Sequence, residues 1–142
     1  VGIFPLIAAI RENKDVEFHA FMGFRNKSAV CLLNELEKCR SLTVTTDDGS
    51  YGKKGNAVEA FLSEAENFDF DAVISCGPPV MLKALKQRLA ERDIKTPCFV
   101  SLEERMGCGV GACLVCVCKT ADGKNARVCK DGPVFDINKV VL

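Results

Sequence analysis

Hydrophobic and polar residues follow two different textures along this chain, and the change falls near Glu103. Over residues 4–102, apolar positions recur either with the helical period or in short β-branched and aromatic runs. Pro5 suits a first helical turn, and Leu6, Ile7, Ala8 and Ile10 carry an apolar stripe towards Arg11. Val16–Phe24 is rich in aromatic and β-branched residues and predicts a strand. Ser28 is the expected N-cap of a helix bearing Val30, Leu32, Leu33 and Leu36. Leu42–Thr46 predicts a second strand, ended by the turn cluster Asp47-Asp48-Gly49-Ser50. Asn56 caps a helix through Glu66 that puts Val58, Phe61 and Leu62 on one side. Ala72–Ser75 predicts a short buried strand, broken by Cys76-Gly77-Pro78-Pro79 before a helix from Val80 to about Arg92. Cys98–Leu102 closes the series as a strand.

Strands separated by helices of this length imply right-handed crossovers and a mostly parallel sheet. The expected fold class is α/β: a parallel-sheet nucleotide-binding domain over residues 1–102, followed by a small irregular subdomain over 103–142. In open parallel sheets ligands bind beyond the carboxyl ends of the strands. Gly23, Asp47–Gly49 and Cys76–Pro79 fall at such ends, so they are expected to line one rim as the nucleotide site. After Leu102 the helical period stops, glycine and cysteine become frequent, and a hairpin is expected around Ala121-Asp122-Gly123.

Composition narrows the function classes. With 48% hydrophobic residues the chain can build a core. Nineteen basic and 19 acidic residues are scattered to a net charge of +0, so neither a nucleic-acid surface nor an acidic tail is expected. No apolar run is long enough for a bilayer, and no basic and apolar leader opens the chain. The opening residue is valine, which suggests a trimmed end. Of nine cysteines, five lie within Cys108–Cys129. Such clustering predicts a metal site in a reducing, cytoplasmic compartment rather than a disulfide framework.

The cluster reads Cys108-Gly-Val-Gly-Ala-Cys113-Leu-Val-Cys116, with Cys129 a distant fourth. This C-x4-C-x2-C spacing is that of plant-type [2Fe–2S] sites. Four thiolates are needed for two irons, and one loop must wrap the cluster while a separate segment closes it. Gly107, Gly109 and Gly111 let the loop take positive φ and bring backbone N–H groups to the sulfurs. Met106, Val110, Leu114 and Val115 are expected to form an apolar wall against water. A four-thiolate zinc site draws on the same residues, although structural zinc usually pairs two close C-x2-C units. Cys118 competes with Cys116 as third ligand, but Cys116 keeps the spacing, and Cys118 suits packing beside the site.

The nucleotide-side motifs are each compatible with a plainer role. Gly2, three residues before Pro5, lets backbone approach a pyrophosphate at a helix N-terminus, or simply opens a capped turn. In Cys76-Gly77-Pro78-Pro79 the glycine allows close ligand approach and the prolines stiffen the turn. Asp47 and Asp48 suit ribose hydroxyls and repel a 2′-phosphate, and equally suit a solvated turn. Arg25, after Gly23-Phe24, can meet a phosphate or point to water. His19, the only histidine, reads as a strand residue rather than a base.

The order of these pieces resembles the electron-transfer (iron–sulfur) subunits of type B dihydroorotate dehydrogenases, within the ferredoxin–NADP reductase superfamily. The likeness rests on Gly2-Ile-Phe-Pro5-Leu6, Gly23-Phe24-Arg25, Thr46–Gly52 and Cys76-Gly77-Pro78-Pro79-Val80-Met81. It is most specific at Ser101–Cys113 and at Val128-Cys129-Lys130-Asp131-Gly132-Pro133-Val134-Phe135. The resemblance implies a partner subunit that oxidises dihydroorotate on FMN. Electrons then cross a [2Fe–2S] cluster to FAD, which passes a hydride to NAD⁺, in pyrimidine biosynthesis. It implies Cys108, Cys113, Cys116 and Cys129 as cluster ligands and Cys76 and Gly77 beside the nicotinamide and flavin ring. Gly2, with the helix that Pro5 opens, falls near the pyrophosphate, Pro78 is a cofactor-binding position in the turn after Cys76, and Gly23, Arg25 and Asp47–Gly49 lie towards the adenosine half. It also implies that most of FAD is held by a β-barrel absent from these residues, so that this chain alone does not run the full reaction. Related modules serve hydrogenases, sulfide dehydrogenases and transhydrogenases. The four cysteines, with Glu103-Glu104-Arg105-Met106 before them and Lys130-Asp131-Gly132-Pro133 after, favour the dihydroorotate system.

Overall fold

The computed structural model describes residues 2–66 and 68–142. It divides into two compact units, Leu6–Asp69 and Val1–Pro5 with Phe70–Leu142.

Helix α1 (Ile3–Glu12) holds Pro5 in its first turn, where the missing N–H is not needed. In the unit Leu6–Asp69, strands β1 (His19–Phe24), β2 (Ser41–Thr46) and β3 (Lys53–Lys54) form a parallel sheet in the order β1-β2-β3. Helix α2 (Ala57–Ala65) buries Val58, Phe61 and Leu62. Its start is set by Asn56, whose side chain accepts the Glu59 N–H as expected. The Phe61 ring meets Phe21 edge-on at 5.6 Å. The first strand is shorter than the apolar run predicted, and the helix expected after Ser28 does not form. Two short 3-10 turns, Lys27–Ala29 and Leu33–Leu36, stand there instead. Leu32 lies between them at φ 57, which interrupts the helical path, while Leu36 alone is driven fully into the core.

In the other unit, β4 (Val73–Cys76) pairs parallel with β5 (Cys98–Ser101), and β8 (Val134–Asp136) joins β5 antiparallel. Helix α3 (Pro79–Glu91) connects the parallel pair and buries Leu82, Leu85 and Leu89, spaced by three and four residues. Between β5 and β8 lie an irregular loop, the expected hairpin β6 (Val117–Lys119) and β7 (Asn125–Arg127), and the single turn α4 (Val128–Asp131). A small core of Cys116, Cys118, Ala126 and Val128 underlies the hairpin, with Leu102, Cys129 and Phe135 against it. The segment after Glu103 is thus irregular but returns a strand to the sheet that precedes it. Among the described residues no helix is long and apolar enough to cross a membrane.

Candidate functional site

The C-terminal cysteines sit on two different supports. Cys108 and Cys113 belong to the irregular loop and are exposed. Cys116 leads into β6 and is 3% exposed, and Cys129 lies in α4, half-buried. Folding brings them together as two pairs. The Cys108 N–H donates to Cys113 Sγ at 3.3 Å, while the N–H groups of Ala112 and Cys113 donate to Cys108 Sγ at 3.2 and 3.4 Å. The Cys129 N–H donates to Cys116 Sγ at 3.4 Å.

These donors act on the thiols. N–H groups of Cys113, Val110 and Ala112, with the Cys113 thiol, draw the Cys108 thiol down to about 6. The Cys129 N–H and thiol lower Cys116 in the same way, and Cys129 is raised because its own thiol is the donor. The pairs are close enough that charge on Cys108 acts on both Cys116 and Cys129. Backbone dipoles already favour thiolate at this loop, the state a metal requires.

Glycine makes the loop possible by two routes. Gly109 and Gly111 stand at φ 70 and 81, as expected, and Leu114 unexpectedly shares that region at φ 58. Gly107 has a different reason: a Cβ there would lie 2.7 Å from Cys113 Sγ. Its lack of a side chain leaves room for sulfur. The donor set, two thiol pairs with N–H groups aimed at sulfur, fits a two-iron cluster in which each iron takes two thiolates. Among the described residues no three His, Cys, Asp or Glu side chains gather as ligands of one metal ion.

Two expectations about the surroundings resolve differently. Cys118 is buried in the hairpin core opposite Ala126, and burial pushes its thiol up, as suits a packing residue. The anticipated apolar wall is not built. Met106, Val110, Leu114 and Val115 are 54, 70, 62 and 53% exposed. A loop of glycines and bends has no second layer to pack them against.

The nucleotide-side residues fall into separate groups. A Cβ on Gly2 would lie 3.1 Å from the Cys76 carbonyl oxygen and 3.2 Å from Cys76 Sγ, so the start of α1 touches the end of β4. Gly77 faces the Met81 side chain, Pro78 is the N-cap of α3, and Pro5 is exposed in α1. In the other unit, Gly23 lies against Ala57 at the start of α2, where a Cβ would come within 3.2 Å. Arg25 and Asp47 are exposed. Asp48 is already engaged, accepting the Ser50 N–H at 2.9 Å and hydroxyl at 2.6 Å, which lowers its carboxyl. Ser50 in turn accepts the Lys27 N–H at 2.8 Å and ties the two loops together. Gly49, at φ 76, completes this turn. His19 is a strand residue bonded to Ser41 at 2.8 Å.

Sequence reasoning missed Arg127 and Asp131, which flank Cys129 at equal distances. Their spacing of four residues was a visible signal for an ion pair on one helical face.

Residues 103–141 match the family model of the iron–sulfur cluster binding domain of dihydroorotate dehydrogenase B. Over its whole length the chain is 42% identical to the dihydroorotate dehydrogenase B (NAD(+)) electron transfer subunit of Streptococcus thermophilus, covering 55% of that protein. It is 43% identical to the same subunit of Streptococcus pneumoniae serotype 4, covering 56% of it, and 41% identical to that of Geobacillus thermodenitrificans, covering 54%. The chain therefore spans about half the length of the curated relatives it matches. Among solved structures, an NADH-dependent reduced ferredoxin-NADP oxidoreductase described for flavin-based electron bifurcation superposes with a TM-score of 0.81. It is 30% identical, over 99% of this chain and 51% of that one. The fold is that of a ferredoxin–NADP reductase-like α/β module followed by an iron–sulfur region.

Proposed function

We propose that this chain, a homologue of the dihydroorotate dehydrogenase B electron transfer subunits, is the NAD-linked half of such an oxidoreductase. Its partner is an FMN-containing subunit that oxidises dihydroorotate in pyrimidine biosynthesis, in the cytoplasm. The observation that carries this reading is the pair of thiol pairs inside the segment matching the cluster-binding domain. Cys108 and Cys113 hold one iron, and Cys116 and Cys129 the other. When bound, the cluster supplies single-electron exchange, and FAD converts paired electrons to a hydride for NAD⁺.

The chain's own residues supply position. Cys108 presents a thiol favoured as thiolate, and Gly107 leaves the space that the Cys113 sulfur needs. Gly2 and Pro5 start a helix against Cys76, which suits pyrophosphate at the helix start and the nicotinamide and flavin ring beside Cys76, Gly77 and Pro78. Gly23, Arg25 and Asp47–Gly49 serve the adenosine half. Because Ser50 occupies Asp48, Asp47 is the acid available to ribose hydroxyls. Functionally the chain divides into residues 1–102 for nucleotide and 103–142 for the cluster, with most of FAD carried outside both.

The full-length protein tests this directly. It is expected to be brown, to bleach with dithionite as an EPR signal appears, and to co-purify with the FMN subunit. Reduction by dihydroorotate should then be followed by NADH formation, with NADP⁺ a poor substitute. A colourless protein with one tightly held zinc ends the reading. Co-purification with a hydrogenase, sulfide dehydrogenase or transhydrogenase keeps the module but reassigns its partner.

A further inference from the structure

The loop carrying Cys108 and Cys113 is exposed and irregular, so something must hold it beside Cys129. Arg127 does so. Its Nε and Nη2 donate to Asp131 Oδ2 and Oδ1 at 3.0 and 3.1 Å, a two-bond fork across Cys129. The Arg127 backbone N–H also donates to Asp131, at 2.8 Å. With the guanidinium so oriented, Nη1 reaches the Gly111 carbonyl oxygen at 3.3 Å, sixteen residues away in the loop. Gly111 is buried, stands at φ 81, and lies against the Lys130 stem and Arg127 Nη1. The N–H of the same peptide, that of Ala112, donates to Cys108 Sγ at 3.2 Å. One peptide in the loop is therefore held at its oxygen by Arg127 while its N–H serves a cluster sulfur.

Resting on the cluster assignment above, we propose that Arg127 and Asp131 act together as a latch on Gly111. The latch keeps the Ala112 N–H of that peptide aimed at the Cys108 sulfur, slows loss of the cluster and sets its reduction potential. Neither residue is a ligand; both are positioning residues. Arginine is required because only its planar fork can bind Asp131 with two nitrogens and keep a third for Gly111.

Cluster loss and potential, measured on the full-length complex, test the latch. Wild type is compared with Arg127→Met, Arg127→Lys, Asp131→Asn and the double variant Arg127→Met/Asp131→Asn. Absorbance decay under excess iron chelator should be about tenfold faster in each single variant, the scale of a lost charge-assisted hydrogen bond. The double variant should be no faster than the worse single one, since one latch is broken only once. The potential separates position from charge. Losing an N–H to sulfur bond lowers it in every variant, whereas charge alone would lower it in Arg127→Met and raise it in Asp131→Asn. Potentials moving in opposite directions, full rescue by lysine, or unchanged decay with iron content intact would overturn the latch and leave the cluster assignment standing. Wild-type protein without iron and sulfide would overturn both.

Discussion

The two thiol pairs are chemically alike and physically opposite. Cys116 and Cys129 rest on a hairpin and a helical turn over a dry core, with Val128 at 0% exposure beside them. Cys108 and Cys113 ride on a loop whose apolar side chains face solvent and which is tied by N–H to sulfur bonds and one latch. The hairpin pair is placed by the hydrophobic effect, which acts whether or not metal is present. The loop pair depends on polar contacts worth little in water, so its geometry is the part that a bound cluster must complete. A site can thus be half preformed and half assembled with its cofactor.

Removing sulfur sharpens the contrast most. Cys116→Ser is expected to abolish or severely destabilise the cluster, while Cys118→Ser, altering a packing residue two positions away, retains it. Iron and sulfide analysis of the two purified variants decides the matter; equal content would reassign the third ligand.

Cutting into the hairpin core comes next. Val128→Ala opens space where nothing can collapse easily and should cost about 2 kcal/mol in denaturant melts. Val110→Ala on the exposed loop should stay within about 0.5 kcal/mol. If both cost the same, the loop is packed after all.

Glycine substitutions probe the loop itself. Gly109→Ala meets open space and should cost about 1 kcal/mol from its positive φ alone, with the cluster kept. Gly107→Ala collides with the Cys113 sulfur and should lose iron in preference to stability. Visible absorption against melting temperature for the two variants separates space from strain.

The smallest effect lies outside the site. Burial, helped by Asp136, pushes the Cys98 thiol up to about 12 from an ordinary 9.0. The folded state therefore prefers the protonated thiol. Its contribution to stability is whole below pH 9 and is lost as pH rises towards 12. Thiol labelling at pH 8 should modify exposed Cys31 and spare Cys98 until the protein is unfolded.

Much of the scaffold was legible without coordinates because it follows from local chemistry. Asn56 can accept one orphan N–H, the prolines after Gly77 can end a strand ahead of a helix, and the Leu82, Leu85 and Leu89 stripe must find a core wherever it lies. The helix expected after Ser28 failed because its apolar residues had only one buried place to fill, taken by Leu36, and tertiary demand outweighs a weak local preference.

The sequence by itself determined which sulfurs are candidates, since spacing is covalent and a glycine-rich loop between thiols serves few purposes other than wrapping a cluster. Only the tertiary structure decided how they pair, that Gly107 is needed for room rather than for φ, and that Arg127 reaches Gly111. Those are distances between residues far apart along the chain. They are set by how the hairpin packs, and no local pattern encodes that packing.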